Sequence, residues 1–99
     1  IKYTGIDHSV FLEEFIKDKF NGLQKLVEKF DLEGAVEAQV EVGRTTRHHH
    51  KGPIYRAEVN LKLPHKFLRA ESEDWDVRVA IEGTKDKIRR EIVKYKETI

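Results

Sequence analysis

The sequence predicts an α+β fold, a two-layer β-α-β-β-β-α domain whose two helices pack on one face of a four-stranded sheet. Apolar residues recur at three- and four-residue spacing in two long segments, one toward each end of the chain. Between those segments the period drops to two, as strands require. The strands alternate apolar and charged positions instead of being apolar throughout, so one sheet face is buried under helices and the other meets water. Ninety-nine residues suit one such unit, since domains commonly run to roughly 100–150 residues. No repeat, low-complexity stretch or linker divides them, and a single domain over 1–99 is expected.

Ile1 and Tyr3 alternate with Lys2 and Thr4, which suits a short strand entering a turn at Gly5. Ser9 offers a hydroxyl cap. Leu12, Phe15, Ile16, Leu23, Leu26, Val27 and Phe30 then mark one buried face of a single helix, which Asp31 to Gly34 ends. From Ala35 to Val42 the period is two, with Val36, Ala38, Val40 and Val42 opposite Glu37, Gln39 and Glu41. A second alternating run sets Tyr55, Ala57, Val59, Leu61 and Leu63 inside and Arg56, Glu58, Asn60 and Lys62 outside. The two runs form a hairpin with a long tip. Pro64 and His65 turn the chain into a further short strand around Phe67 to Glu71. Asp74 offers a cap to a closing helix with an acid-rich first turn, favourable at the positive pole of the helix. That helix reaches about Glu97, with Val77, Ile81, Ile88, Ile92 and Tyr95 on its buried side.

Composition excludes several kinds of function. The chain has no cysteine, which rules out disulfides, thiolate nucleophiles and cysteine-bound metals and suits a reducing cytosol. No apolar run approaches the roughly 18 residues of a membrane span, and the amino end lacks the pattern of a secretory leader. A soluble cytoplasmic protein without a membrane partner is expected. There is no Gly-rich phosphate loop, no nucleophile elbow and no serine or threonine set with a histidine and an acid. Neither an enzyme, a small-molecule substrate nor a cofactor is expected.

The formal net charge of +1 conceals a division. Residues 1–42 hold five Lys/Arg against nine Asp/Glu, whereas residues 43–99 hold fourteen against nine. Such asymmetry points to a polyanionic partner more strongly than a mean charge does, although a well-solvated surface would also account for it. On the closing helix the cations are sorted by angle: Lys87, Arg90 and Lys94 share one narrow sector, and Arg78, Lys85, Arg89 and Lys96 form a stripe bordering the apolar face. Rows of this kind neutralise phosphates with salt-sensitive, sequence-independent affinity. A cationic helix end also complements the negative pole of its own dipole, so the pattern alone leaves both readings open.

Two further places carry candidate cations. Lys19 lies within the apolar stripe of the first helix, where it either snorkels its ammonium to water or directs it at a phosphate; Lys25 is further round, on a solvated face. The hairpin tip from Arg44 to Gly52 contains no acid and presents Arg44, Arg47, His48 and Lys51. Arginine forks suit phosphates and guanine edges, and histidine stacks on bases or donates to phosphate. The run His48-His49-His50 also invites a metal, but neighbours on a strand point to opposite sides and no carboxylate or cysteine lies nearby to complete a site.

Taken in order, Tyr3-Thr4-Gly5-Ile6, Ser9 with Leu12, Asp18-Lys19-Phe20 to Leu23 and Lys25, Val40-Glu41-Val42-Gly43, Leu68-Arg69-Ala70-Glu71, Ala80-Ile81, Asp86-Lys87-Ile88-Arg89-Arg90-Glu91-Ile92 and Lys94-Tyr95-Lys96 span nearly the whole chain. This series resembles the ribosome hibernation-promoting factors, or ribosomal subunit interface proteins, the sigma-54 modulation protein group. The resemblance implies a fold similar to a double-stranded-RNA-binding domain, seated in the mRNA and tRNA channel of the small ribosomal subunit. Its cations would grip ribosomal RNA and block translation in resting or stressed cells. By position, the family's helix contacts carry over to Lys19, Lys25, Lys87, Arg90 and Lys94; Lys85 and Arg89 join the candidate RNA-binding residues from the stripe found by helical angle. Gly22 stands where relatives often carry a base, and Arg78 where they usually carry a tyrosine. Longer members add a dimerisation domain that pairs ribosomes; with no counterpart to it in these 99 residues, a monomer is expected. The competing readings are a general double-stranded-RNA binder, a protein-interaction domain using the exposed sheet, and an unrecognised hydrolase.

Overall fold

The computed structural model describes residues 1–28, 36–49 and 52–98, with the backbone alone at 46–49 and 52–53. Its elements are β1 (Lys2–Thr4), α1 (Val10–Asn21), α2 (Gln24–Val27), β2 (Glu37–His49), β3 (Gly52–Leu63), β4 (Lys66–Asp74) and α3 (Val77–Glu97). The strands lie in the order β1-β2-β3-β4, β1 parallel to β2 and the rest antiparallel. The predicted α+β architecture and β-α-β-β-β-α order are both present.

Two glycines seat β1. Gly5 has φ +72°, a left-handed turn that a side chain would strain. A Cβ on Gly43 would run into the carbonyl oxygen of Thr4, so only glycine lets the two strands lie together there. The inner sheet face presents Val40 and Val42, then Ala57, Val59, Leu61 and Leu63, then Leu68 and Ala70, all buried. Against it pack Ile16 of α1 and Ile81, Ile88 and Ile92 of α3, each 0–1% exposed. A fully buried isoleucine contributes about 1.5–3 kcal/mol, so these four anchor both helices. Thr84 fixes the height of α3: its buried hydroxyl donates either to the carbonyl of Ala57 on β3 at 3.0 Å or to that of Ala80 at 2.9 Å. Leu12 lies with Val77 at one end of the helix layer, and Leu23 and Val27 with Ile88 and Ile92 at the other, so α1 and α3 run in the same direction.

Four expectations are corrected. The first helix is not continuous: α1 ends at Asn21, and Leu23 donates to Phe20 O and Leu26 to Leu23 O, both at 3.0 Å, in tighter three-residue turns. Gly22 at the break is a poor helix former; Phe30 and Asp31 to Gly34 lie outside the described residues. The hairpin tip is largely strand, with pairs at His48↔Pro53 and His49↔Gly52 after an irregularity between Arg44 and His48. Alternation fails there because β1 stops opposite Gly43 and β4 opposite Tyr55, leaving a two-stranded ribbon that extends past the four-stranded sheet and its main core. β4 extends to Asp74, and the cap of α3 is Asp76, whose carboxylate accepts from the Arg78 N–H at 2.9 Å. Asp74 instead accepts from the Asp76 N–H at 3.0 Å. With the cap shifted two residues, the first turn of α3 holds no acid.

Candidate nucleic-acid interface

The packing of α3 divides its cations between two flanks. On one side Glu82 meets Lys19 of α1, Nζ to Oε1 at 2.5 Å, so the stripe of Lys85, Arg89 and Lys96 faces the first helical segment. On the other side Lys87 reaches the free edge of β4 and donates to the Glu71 carbonyl at 2.9 Å, which places Arg90 and Lys94 along the outer border of that edge.

These residues are not equally available. Arg89, Arg90 and Lys94 are exposed, make no ion pair among the described residues, and line a shallow groove of about 390 Å³ on the carboxyl-terminal half of α3. Lys96 is half-buried nearby. Lys85 is held by Asp86 at 2.8 Å and Glu82 at 3.5 Å. The hydrogen bond from Lys85 keeps the Asp86 carboxyl below its usual range, and Asp86 in turn raises the Lys85 ammonium. Lys19 neither snorkels freely nor points at empty solvent: besides Glu82 it lies 5.2 Å from the centre of the Phe15 ring. The hydrogen bond from Lys19 holds the Glu82 carboxyl below its usual range. Lys87 spends one of its three donors closing a strand edge that would otherwise present an unpaired carbonyl. Lys25 is exposed on α2.

At the opposite end of the sheet, the ribbon carries Arg44, exposed and 5.7 Å from the centre of the Tyr55 ring. Arg47 and His48 lie on β2, with only their backbone described, and Lys51 and His50 lie outside the described residues. From Tyr55 to Leu63, β3 covers about 26 Å at roughly 3.3 Å per residue, and the paired strand runs from Asp74 back to Lys66. The ribbon and the basic end of α3 therefore occupy opposite ends of a domain 45 Å long.

The outer sheet face uses its charge differently. Glu58 and Glu71 sit opposite each other on β3 and β4, and Arg56 and Arg69 each bridge both of them: Arg56 to Glu58 at 3.4 Å and to Glu71, Arg69 to Glu71 at 3.2 Å and to Glu58. The Arg56 guanidinium holds the Glu71 carboxyl below its ordinary range, and Lys2 pairs with Glu41 beyond it at 3.8 Å.

Sequence reasoning missed the fork contact of Glu82 with Lys19 and Lys85, which depends on the height of α3 over α1. It also missed a cleft of about 830 Å³ at the ribbon base, lined by Arg44, Tyr55 and Trp75. The signal available was a tryptophan flanked by Asp74 and Asp76, an apolar ring in a polar turn. Among the described residues no group of three or more His, Cys, Asp or Glu is placed to hold a metal ion, and no helix is long and apolar enough to cross a membrane.

The fold has solved counterparts. The N-terminal domain of Protein Y from Thermus thermophilus matches with a TM-score of 0.71 at 19% identity, over 94% of this chain and 91% of that one. A ribosomal subunit interface protein from Coxiella burnetii matches with a TM-score of 0.72 at 21% identity, over 97% and 93%. No curated protein matches the chain. The model of one ribosome-associated family, described as sigma 54 modulation protein / S30EA ribosomal protein, covers residues 1–99, and the chain belongs to that family.

Proposed function

We propose that this chain is a ribosome hibernation factor that binds the small ribosomal subunit at the mRNA and tRNA channel and inhibits translation by occupying it. It acts through the domain over 1–99, in the cytoplasm, without cofactor or chemistry of its own. The observation that carries the reading is the patch of Arg89, Arg90 and Lys94: three exposed cations that make no ion pair among the described residues, on one helix, in a family of ribosome-associated proteins. Exposed cations outside any ion pair and on a fixed spacing suit phosphates. The ribbon, with Arg44 and the acid-free segment through Arg47, His48 and Lys51, forms the second contact at the far end. Lys19, Lys85 and Lys87 support this surface by fixing α3 and the β4 edge, and Lys25 extends it.

The test is co-sedimentation with isolated small subunits across a salt series. Wild type is expected to bind one-to-one with an affinity that falls steeply as salt rises. The Arg89→Ala, Arg90→Ala, Lys94→Ala variant is expected to weaken binding by about 100-fold and to flatten the log–log salt slope by roughly 2–3. An A-form duplex competitor addresses the second reading, a general duplex binder whose ribbon and helix span two grooves across the 45 Å axis. Equal loss to any duplex would favour that reading, and absence of binding at low salt would remove the ribosome.

A further inference from the structure

We propose that the cleft at the base of the ribbon is a clamp for one unstacked guanine base, which adds base recognition to the phosphate contacts of α3; the proposal rests on the RNA-binding reading above. Trp75 is 47% exposed although it is the largest apolar side chain in the molecule, and it lines a cleft shared with Tyr55, Arg44, Ile6, Asp7 and Val77. The volume of about 830 Å³ falls within the roughly 300–1,000 Å³ of small-ligand sites. Unstacked bases are held by aromatic faces and by guanidinium planes, and here Arg44 already lies over the Tyr55 ring. The ribbon begins at the cleft, so a strand tracked by its cations would pass the cleft mouth.

The acids of the lining select the base. Asp76 is committed to the Arg78 guanidinium and to the α3 cap. Asp7 makes no hydrogen bond or ion pair among the described residues, and as an ionised carboxylate it is an acceptor only. Guanine alone among the RNA bases offers two adjacent donors, N1–H and N2–H, on its Watson–Crick edge. Cytosine and adenine each offer one exocyclic donor beside an acceptor that a carboxylate repels, and uracil a single ring donor between two carbonyls.

Because Trp75 is the only tryptophan in the chain, its fluorescence reports on the cleft directly. The experiment titrates the protein with single-stranded RNA hexamers differing in one central base, and with small ribosomal subunits. The hexamer with a central guanine is expected to quench Trp75 saturably and at least about fivefold more tightly than the others. Asp7→Asn should abolish that preference and keep the quenching. Trp75→Ala should weaken subunit binding by about tenfold, the worth of one stacked base, while Trp75→Phe, which keeps an aromatic face, stays within about twofold of wild type. Subunits that bind without altering Trp75 emission, with Trp75→Ala binding as well as wild type, overturn the clamp and leave the ribosome reading intact. Quenching by subunits that no hexamer reproduces assigns the cleft to a ribosomal protein and also overturns it. If wild type binds no subunits, the ribosome reading falls and the hexamers decide alone: guanine-dependent quenching supports the clamp, and its absence overturns it.

Discussion

The outer sheet face and the carboxyl-terminal half of α3 are both dense in charge, yet they are built for opposite ends. On the sheet, Arg56 and Arg69 alternate with Glu58 and Glu71 in a closed set of four ion pairs. On α3, Arg89, Arg90 and Lys94 form an exposed patch that makes no ion pair among the described residues, with Asp86 only in longer-range electrostatic reach of the two arginines. Charge count does not separate the two regions; pairing does. A cation whose field is already cancelled has little to offer a phosphate, whereas an unpaired one keeps its condensed-counterion advantage when it meets RNA. The same contrast makes the sheet face a poor interaction surface, since a partner would have to break existing pairs or match a nearly neutral mosaic.

The sheet arginines are expected to be dispensable for RNA binding. Replacing both Arg56 and Arg69 by alanine strips two carboxylates of their partners, one of them Glu58, whose side chain is only 13% exposed. Networks of this sort are worth more than isolated surface pairs, and a loss of about 1 kcal/mol is expected, read as a lower urea midpoint at unchanged slope. Subunit affinity and its salt dependence should stay within about twofold of wild type, because no cation that faces phosphate is removed. A fall in salt slope comparable to that of the α3 triple variant would show that the network opens on the ribosome and that pairing does not mark an idle surface.

Much of this was legible in the sequence. Period-two and period-three-to-four patterns located the four strands, the first helical segment and the closing helix, because each had a core face to satisfy. They failed where that demand lapses. The ribbon beyond Arg44 pairs as strand without alternation, since neither β1 nor β4 continues alongside it, and the first helix carries an apolar stripe across Gly22 although its backbone bends there. The site was legible as a sector of α3 and illegible as a set of partners. Helical angle placed Lys87 beside Arg90 and Lys94, but only the height of α3 over the sheet, set by Thr84 and the buried isoleucines, brings Lys87 to the Glu71 carbonyl. Lys19 likewise needed the meeting of α1 with α3 to acquire Glu82. The Trp75 cleft draws its walls from four separate stretches of chain, and no local spacing encodes it.

Glu82 brings sheet-like pairing to the helix layer, because it ties a cation of α1 and a cation of α3 to one carboxylate. It holds Lys19 at 2.5 Å and Lys85 at 3.5 Å. Glu82→Gln leaves the side-chain volume nearly unchanged while freeing Lys19 and leaving Lys85 to Asp86. If pairing is what silences a cation, this variant should bind small subunits about two- to fivefold more tightly, with a salt slope steeper by as much as about 1. Unchanged or weaker binding would mean that Glu82 positions Lys19 for its phosphate instead of withholding it, and the two regions would then differ less than their pairing suggests.

The smallest effect follows from the same carboxylate. Its pKa in the folded chain lies below the ordinary 4.5, chiefly through the Lys19 hydrogen bond, so the folded state binds the proton less readily than the unfolded chain does. The stabilisation is therefore complete above pH 4.5 and is lost as pH falls through the depressed folded value, where the carboxyl becomes neutral and the tie between α1 and α3 is released. Glu82→Gln has no such proton to gain. The urea midpoint of wild type should exceed that of the variant at pH 6, the gap should narrow below pH 4.5, and the two curves should meet once Glu82 is protonated. Glu71, Asp76 and Asp86 are depressed in the same direction and lower both curves together as acid is added, so only the difference between the two proteins isolates Glu82. A gap that persists unchanged down to pH 3 would trace the stabilisation to packing of the Glu82 stem and not to its charge.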